Sequence, residues 1–259
     1  MNVAAAFIFF TRLPLWRWIH PAPEAYKHVV VYWPVVGWLT AGVSAGVLYL
    51  ASLVMPVMLA VWAAVAARLL LTGALHEDGL ADFFDGFGGG GSDRTRILAI
   101  MKDSHIGTYG VISLIVYLLF YTALLSALPV PLACCALLCG DPLAKGTAAQ
   151  LVNLLPYART EQQSKAKVVY DRMSFSEGIV TVVFGLLPLL FLLHPFYWGA
   201  LLGPVVMFLG LVTLMKKRIG GYTGDCCGAT CLLCEWAFYL LIVILYAVDG
   251  TYLSATYLG

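Results

Sequence analysis

Long apolar runs alternate with short polar segments along this chain, and their spacing predicts a bundle of membrane-crossing helices. A helix needs about 20 mainly apolar residues to cross the hydrocarbon core of a bilayer. Seven stretches meet that demand: 29–55, 57–75, 109–128, 131–155, 178–194, 198–215 and 229–248. Pro56, the pair Pro129 and Pro131, and His194 with Pro195 mark tight returns between consecutive runs, while Pro188 and Pro204 predict kinks inside two of them. No internal repeat is visible, and the four glycines at 88–91 read as a short flexible loop rather than a domain linker. The expected fold is all-α, a polytopic integral-membrane helical bundle of about seven transmembrane helices, forming a single domain over residues 1–259.

Composition supports this picture. Of 259 residues, 61% are hydrophobic and 11% charged, against about 25% charged in soluble domains, so most of the surface faces something other than water. A net charge of +1 excludes an electrostatic nucleic-acid binder, which needs a strongly basic face. Residues 1–10 are apolar but lack the basic leader and small-residue cleavage site of a secretory signal. The seven cysteines are an odd number in mostly apolar surroundings; they read as small buried hydrophobes rather than a disulfide framework.

Charge then orients the bundle. Thirteen of the 15 Lys and Arg residues lie outside the runs, and with seven crossings all of them fall on the side of the N-terminus. The positive-inside rule makes that side cytoplasmic. The expectation is a multi-pass protein of the cell inner membrane, N-terminus cytoplasmic, with its active site at the cytoplasmic membrane face and the lipid bilayer as its surroundings. Arg68, Asp141 and Lys145 remain inside the runs, and Glu235 stands near the start of the last one. Ionisable groups at such depth are functional candidates. The simpler alternatives are an i,i+4 ion pair between Asp141 and Lys145 and a structural anchor at Arg68.

The densest chemistry follows the second run, in His76-Glu77-Asp78-Gly79-Leu80-Ala81-Asp82-Phe83-Phe84-Asp85-Gly86. On a helix, Asp78, Asp82 and Asp85 fall within an arc of about 60°. Three mutually repelling carboxylates on one face make sense around a hard cation, Mg²⁺ with Mn²⁺ as a substitute, rather than zinc. The alternative is a solvated acidic face on an amphipathic stub whose Leu80, Phe83 and Phe84 lie against the bilayer. Arg94, Arg96 and Lys102 follow, then Asp103-Ser104-His105. Carboxylates beside a basic cluster suit a metal–diphosphate substrate, although the positive-inside bias alone would account for the basic residues. Gly220-Gly221-Tyr222-Thr223-Gly224-Asp225 precedes the last run, where glycine permits close backbone approach to a ligand and Asp225 could complete a metal site.

With these pieces in order, the chain resembles the cobalamin synthase family, adenosylcobinamide-GDP ribazoletransferase. The matching residues are Phe10-Thr11-Arg12-Leu13-Pro14, Pro34 with Gly37, and the acidic motif from His76 to Gly86. Further matches are Ile100-Met101-Lys102-Asp103 with Gly107, Gly146-Thr147-Ala148, and Gly221-x-Thr223-Gly224-Asp225-x-x-Gly228-Ala229 with Glu235. The resemblance implies that a ribose hydroxyl of α-ribazole, or of its 5′-phosphate, attacks the phosphorus attached to cobinamide and releases GMP in an Mg²⁺-dependent last step of cobalamin synthesis. It implies Asp78, Asp82, Asp85 and Asp225 as metal ligands, with Asp82 foremost. Asp103 would be a further ligand or would position the nucleophile, and the base is open among His76, His105 and the aspartates. Arg12, Arg94 and Lys102, with Thr223 and Gly224, would hold substrate. A homo-oligomer stays open.

There are two rivals, the second from another class. A CDP-alcohol phosphotransferase would need Asp-Gly-x-x-Ala-Arg, whereas Asp78-Gly79-Leu80-Ala81 is followed by Asp82. A transporter would run a path along Arg68, Asp141 and Lys145, but the repeated halves common in transporters are missing. Cys227-x-x-x-Cys231-x-x-Cys234 has the spacing of an iron–sulfur site, yet it enters an apolar helix instead of a loop.

Overall fold

The computed structural model describes residues 2–159 and 169–250; Lys165, Lys167 and the C-terminal Gly259 of the topology expectation lie outside them. Among the described residues the regular elements are helical, with one isolated bridge between Tyr157 and Tyr222. In order they are α1 (Asn2–Phe10), α2 (Trp33–Ser52), α3 (Val57–Thr72), α4 (Leu75–Gly89), α5 (Arg94–Lys102), α6 (Thr108–Ser126), α7 (Val130–Ala149), the single turn α8 (Leu151–Leu154), α9 (Phe175–Leu186), α10 (Leu202–Ile219) and α11 (Gly224–Val248). Pro142 lies inside α7, while the prolines that mark returns sit at element boundaries. Pro56 and Pro129 cap α3 and α7. Pro188 stands where α9 passes into a 3₁₀ turn, and Pro204 lies in the first turn of α10.

By length and hydropathy, four helical stretches among the described residues can cross a membrane: Pro23–Ser52, Thr108–Ser126, Pro195–Ile219 and Gly224–Val248. The bent pair α3 and α4 makes a fifth. Two of the seven expected crossings fall short for different reasons. Helix α7 carries Asp141 and Lys145, and α9 has only 12 residues. Yet α7 is the centre of the bundle, packed against α2, α9 and α11. Its polar residues face protein, where hydropathy averaged over the helix says little. Its crossing with α2 is backbone-close: a β-carbon on Gly37 would lie 2.8 Å from the Pro142 Cα. Around this core, Val54, Leu70, Leu119, Leu190 and Val206 are exposed, an apolar belt suited to lipid.

Loop contacts gather at one pole. Arg12 N–H donates to Leu71 O, Asp171 N–H to Lys27 O, and Arg94 to Ile219 O, while Arg218 reaches Gly91 O. Among the described residues, these basic segments therefore share one end of the bundle. At the other end Tyr197 meets Asp249 at 3.4 Å.

The second run does not continue straight into its acidic motif. Gly73 (φ 67°) and Ala74 (φ 56°) both take the left-handed conformation, and α4 leaves α3 at 91°. This lays α4 against α6 and α11. Leu80 and Phe83 are buried at 0% and 3% exposure, so the amphipathic stub with its apolar side on the bilayer is overturned. The glycine loop is also shorter than expected: α4 runs through Gly88 and Gly89 before the chain turns.

Candidate active site

The site is built where α4 crosses the start of α11. Two glycines make the crossing: a β-carbon on Gly79 would come within 3.1 Å of the Asp225 carbonyl oxygen, and one on Gly228 within 3.1 Å of that of His76. Thr223 caps α11, its Oγ1 accepting from Cys226 N–H at 3.3 Å. Asp225 sits in the first turn, so the "TGD" motif is a helix N-terminus, where the aligned backbone dipoles favour an anion.

This crossing floors a cavity of about 280 Å³, near the lower end for small-molecule sites. His76, Asp78, Arg159, Gly224 and Asp225 supply its polar lining, and Phe9, Phe10, Trp33, Tyr157 and Tyr170 its aromatic walls. Trp33 Nε1–H donates to His76 Nε2 at 3.2 Å, and Phe10 stacks on Trp33. Arg159 was not among the residues expected here. Its side chain is 4% exposed, donates to Leu98 O at 3.0 Å and stands 3.5 Å from Asp225. A two-bond ladder holds it in place: Ala158 N–H to Tyr222 O (2.8 Å) and Tyr222 N–H to Pro156 O (2.9 Å). No signal in the sequence separates it from the other basic loop residues. Arg159 also lines a second, basic depression of about 470 Å³ with Arg94 and Lys102.

The aspartate row divides. Asp78 is exposed in the cavity, and Asp82, one turn on, is half-buried outside its lining. Asp85 is turned away and 6% exposed. Its two oxygens accept from Gly107 N–H at 2.7 Å and Gly110 N–H at 2.8 Å. That makes it the cap of α6, satisfying amides that a helix start otherwise leaves open. Asp103 and His105 pair with each other at 2.7 Å. With the His105 side chain 90% exposed, the pair stands off the cavity lining, and the hydrogen bond from His105 holds the Asp103 carboxyl below the usual carboxylate range. Arg12 is exposed beside the α3–α4 turn, packed over Gly73. Arg94 ties the end of α10 to the loop after α8, donating to Ile219 O and Ala158 O. Lys102 is exposed on the basic depression.

The ionisable groups at depth pair with one another. Arg68 binds Glu235 at 2.8 and 3.0 Å, Glu77 at 3.2 Å, Tyr117 at 2.9 Å and Tyr121 at 3.3 Å. Glu235 also accepts from Tyr239 at 2.6 Å. It lies in the middle of α11 rather than near a span end, because that helix begins at Gly224. Asp141 and Lys145 form the i,i+4 pair, joined by Thr40. The seven cysteines are free thiols. Among the described residues no three His, Cys, Asp or Glu side chains converge as a ready-made metal cage.

The family model described as cobalamin-5-phosphate synthase matches residues 2–243. Curated relatives named adenosylcobinamide-GDP ribazoletransferase include one from Shewanella putrefaciens, 36% identical over 244 residues (93% of this chain, 92% of the relative). Another is from Shewanella woodyi, 37% identical over 246 residues (91% and 92%). A third, from Shewanella frigidimarina, is 37% identical over 243 residues (92% and 92%). No solved structure matches. By a match that runs through every helix of the bundle, the chain belongs to the cobalamin-5-phosphate synthase family.

Proposed function

We propose that this protein is an adenosylcobinamide-GDP ribazoletransferase, joining GDP-activated adenosylcobinamide to α-ribazole or its 5′-phosphate and releasing GMP. The observation that carries this reading beyond the family match is the cavity where α4 crosses α11: two carboxylates, a buried arginine and a helix N-terminus converge on a space of nucleoside size. In the reaction a ribose hydroxyl oxygen bonds to the phosphorus attached to cobinamide, the bond from that phosphorus to GMP breaks, and the hydroxyl proton passes to a base. His76 Nε2 already accepts the Trp33 N–H, so a cavity carboxylate, Asp78 or Asp225, is the better proton acceptor. Arg159 and the first amides of α11 face the charge that builds on the phosphoryl oxygens.

The donor set fits Mg²⁺ as a substrate-borne ion. This cation keeps waters, bridges phosphates and asks one or two carboxylates of the protein. Asp78 with Asp82 at i,i+4, and Asp225 across the cavity, would hold it, and Asp85 would not. When bound it neutralises the diphosphate and activates the leaving group. The grouping of basic loops at the pole that holds the cavity supports a cytoplasmic site and N-terminus in the inner membrane. The mutual pairing of Arg68, Asp141, Lys145 and Glu235 speaks against a transport path.

The test is turnover by the purified protein in nanodiscs with GDP-cobinamide, α-ribazole and Mg²⁺. GMP should form in step with cobalamin. Release of GMP that ignores α-ribazole, or no release at all, would remove the reading.

A further inference from the structure

The cavity and the basic depression share Arg159, and their chemistries differ. The inner wall of the cavity is hydrocarbon and aromatic, formed by Phe9, Phe10, Val30, Trp33, Leu75 and Tyr170. Phe10 and Trp33 lie nearly parallel, with centroids 4.8 Å apart at 8°. Phe9 meets Tyr170 edge-on at 6.2 Å and 81°. The indole N–H on this wall is committed to His76. A guanine edge carries two donor groups and an acceptor, and of this wall only the Tyr170 hydroxyl could match one of them, so burying it there carries a cost. A benzimidazole edge bears only C–H and methyl groups and loses nothing there, while its flat rings suit aromatic neighbours. The polar residues of the same cavity, Asp78, Arg159 and Asp225, would meet the ribose and phosphate. The depression on the far side of Arg159 is lined by Arg94 and Lys102 with no carboxylate, which suits a diphosphate.

We propose that the two spaces are the two substrate subsites. The aromatic cavity takes the benzimidazole riboside acceptor, the basic depression takes the guanosine-side phosphate of the GDP-activated donor, and Arg159 holds the transferred phosphoryl group between them, beside the carboxylates that would hold Mg²⁺. This rests on the function proposed above. The corrinoid, far larger than either space, stays outside. The nucleophile thus arrives from the aromatic side, the new bond joins its ribose oxygen to phosphorus, and GMP departs on the basic side with the bonding electrons. Recognition of the acceptor is assigned to Phe10 and Tyr170, and recognition of the donor to Lys102.

Steady-state kinetics in nanodiscs, varying each substrate in turn, tests the partition. Phe10→Leu keeps the apolar volume and removes the ring. It should raise the KM for α-ribazole about tenfold, the scale of one aromatic stack on a base, and leave the KM for GDP-cobinamide within about twofold. Phe10→Trp should restore the acceptor KM. Lys102→Ala, at an exposed side chain, should do the reverse, raising the donor KM several-fold and making it more salt-sensitive. Arg159→Lys keeps the charge but not the fork, and it should lower kcat more than it alters either KM. A Phe10→Leu protein that is monodisperse, turns over, and loses donor affinity instead would overturn the partition while the enzymatic reading stands. If wild-type protein releases no GMP, the enzymatic reading itself falls.

Discussion

Two arginine-centred clusters, built from the same two helices, do opposite things. Glu77 and Asp78 are neighbours on α4, and Asp225 and Glu235 both belong to α11. Glu77 and Glu235 close on Arg68, where three tyrosine hydroxyls complete the set and the nearest ion-pair distance is 2.8 Å. Asp78 and Asp225 instead face a cavity, and Arg159 stands off Asp225 at 3.5 Å. Both guanidinium groups are almost wholly buried, with side-chain exposures of 5% and 4%. The difference is what lies beside each cluster. Around Arg68 the charges pair inside the bundle, with Glu77 Oε2 buried and left without a hydrogen bond, and the cluster joins α3, α4, α6 and α11 as a strut. Around Arg159 the charges border an open cavity, which is the condition for taking a ligand. A buried charge is therefore a poor sign of a site by itself, and the cavity beside it is the better one.

The comparison breaks most sharply at the strut. Arg68→Ala should leave Glu235 and Glu77 buried without their cation, a loss of about 3–5 kcal/mol. Size-exclusion profiles and thermal unfolding in detergent should show little folded protein. A folded, monodisperse variant would mean the cluster is not a strut. At the cavity the loss should be chiefly one of rate. Asp78→Asn should retain wild-type melting and cut GMP release at least about a hundredfold, the scale of several kcal/mol of charge stabilisation, and Asp225→Asn should cut it as far while also lowering melting, because it removes the charge beside buried Arg159. Asp82→Asn should fall similarly if it shares the cation with Asp78, with a raised Mg²⁺ requirement as its signature. Near-normal turnover in Asp78→Asn would place the chemistry elsewhere.

Asp85 tests the boundary between the two behaviours. Asp85→Ala should destabilise by about 1–3 kcal/mol, the cost of two backbone amides left without their charged acceptor. Its Mg²⁺ dependence should remain that of the wild type; a shifted Mg²⁺ requirement in a stable variant would return Asp85 to the metal row. The smallest effect belongs to the exposed pair. His105→Ala and Asp103→Asn should change turnover by no more than a few-fold. Because the Asp103 carboxyl is held low, its contribution to stability is present above the ordinary carboxylate range and is lost as pH falls through the depressed value. Melting of wild type and Asp103→Asn should therefore converge between pH 6 and about pH 3. A gap that widened on acidification would contradict the pairing.

Much was legible beforehand because it depends on local order. The apolar runs, Pro56 and Pro129 as helix starts, the Asp141–Lys145 pair at i,i+4 and the family motifs all follow from residue type and spacing within a few turns. Angular spacing put Asp78, Asp82 and Asp85 on one face of α4, but it could not show that Gly107 and Gly110, at the start of another helix, claim the Asp85 oxygens. Hydropathy alone undercounts for a related reason: a helix buried by its neighbours, as α7 is, needs no lipid-like composition.

What the linear chain determined was the class of molecule and the inventory of its chemistry, since helix-forming apolar stretches and a dense acidic motif are properties of short segments. Tertiary structure alone decided the use of that inventory. Two left-handed residues at 73 and 74 turn α4 by 91°, and the contact of Gly79 with α11 brings Asp78 to Asp225 across almost 150 residues of sequence. The ladder between Pro156, Ala158 and Tyr222 delivers Arg159 to the same place. Such placements depend on where a helix points and what it meets, and neither is encoded in the spacing of residues along one segment.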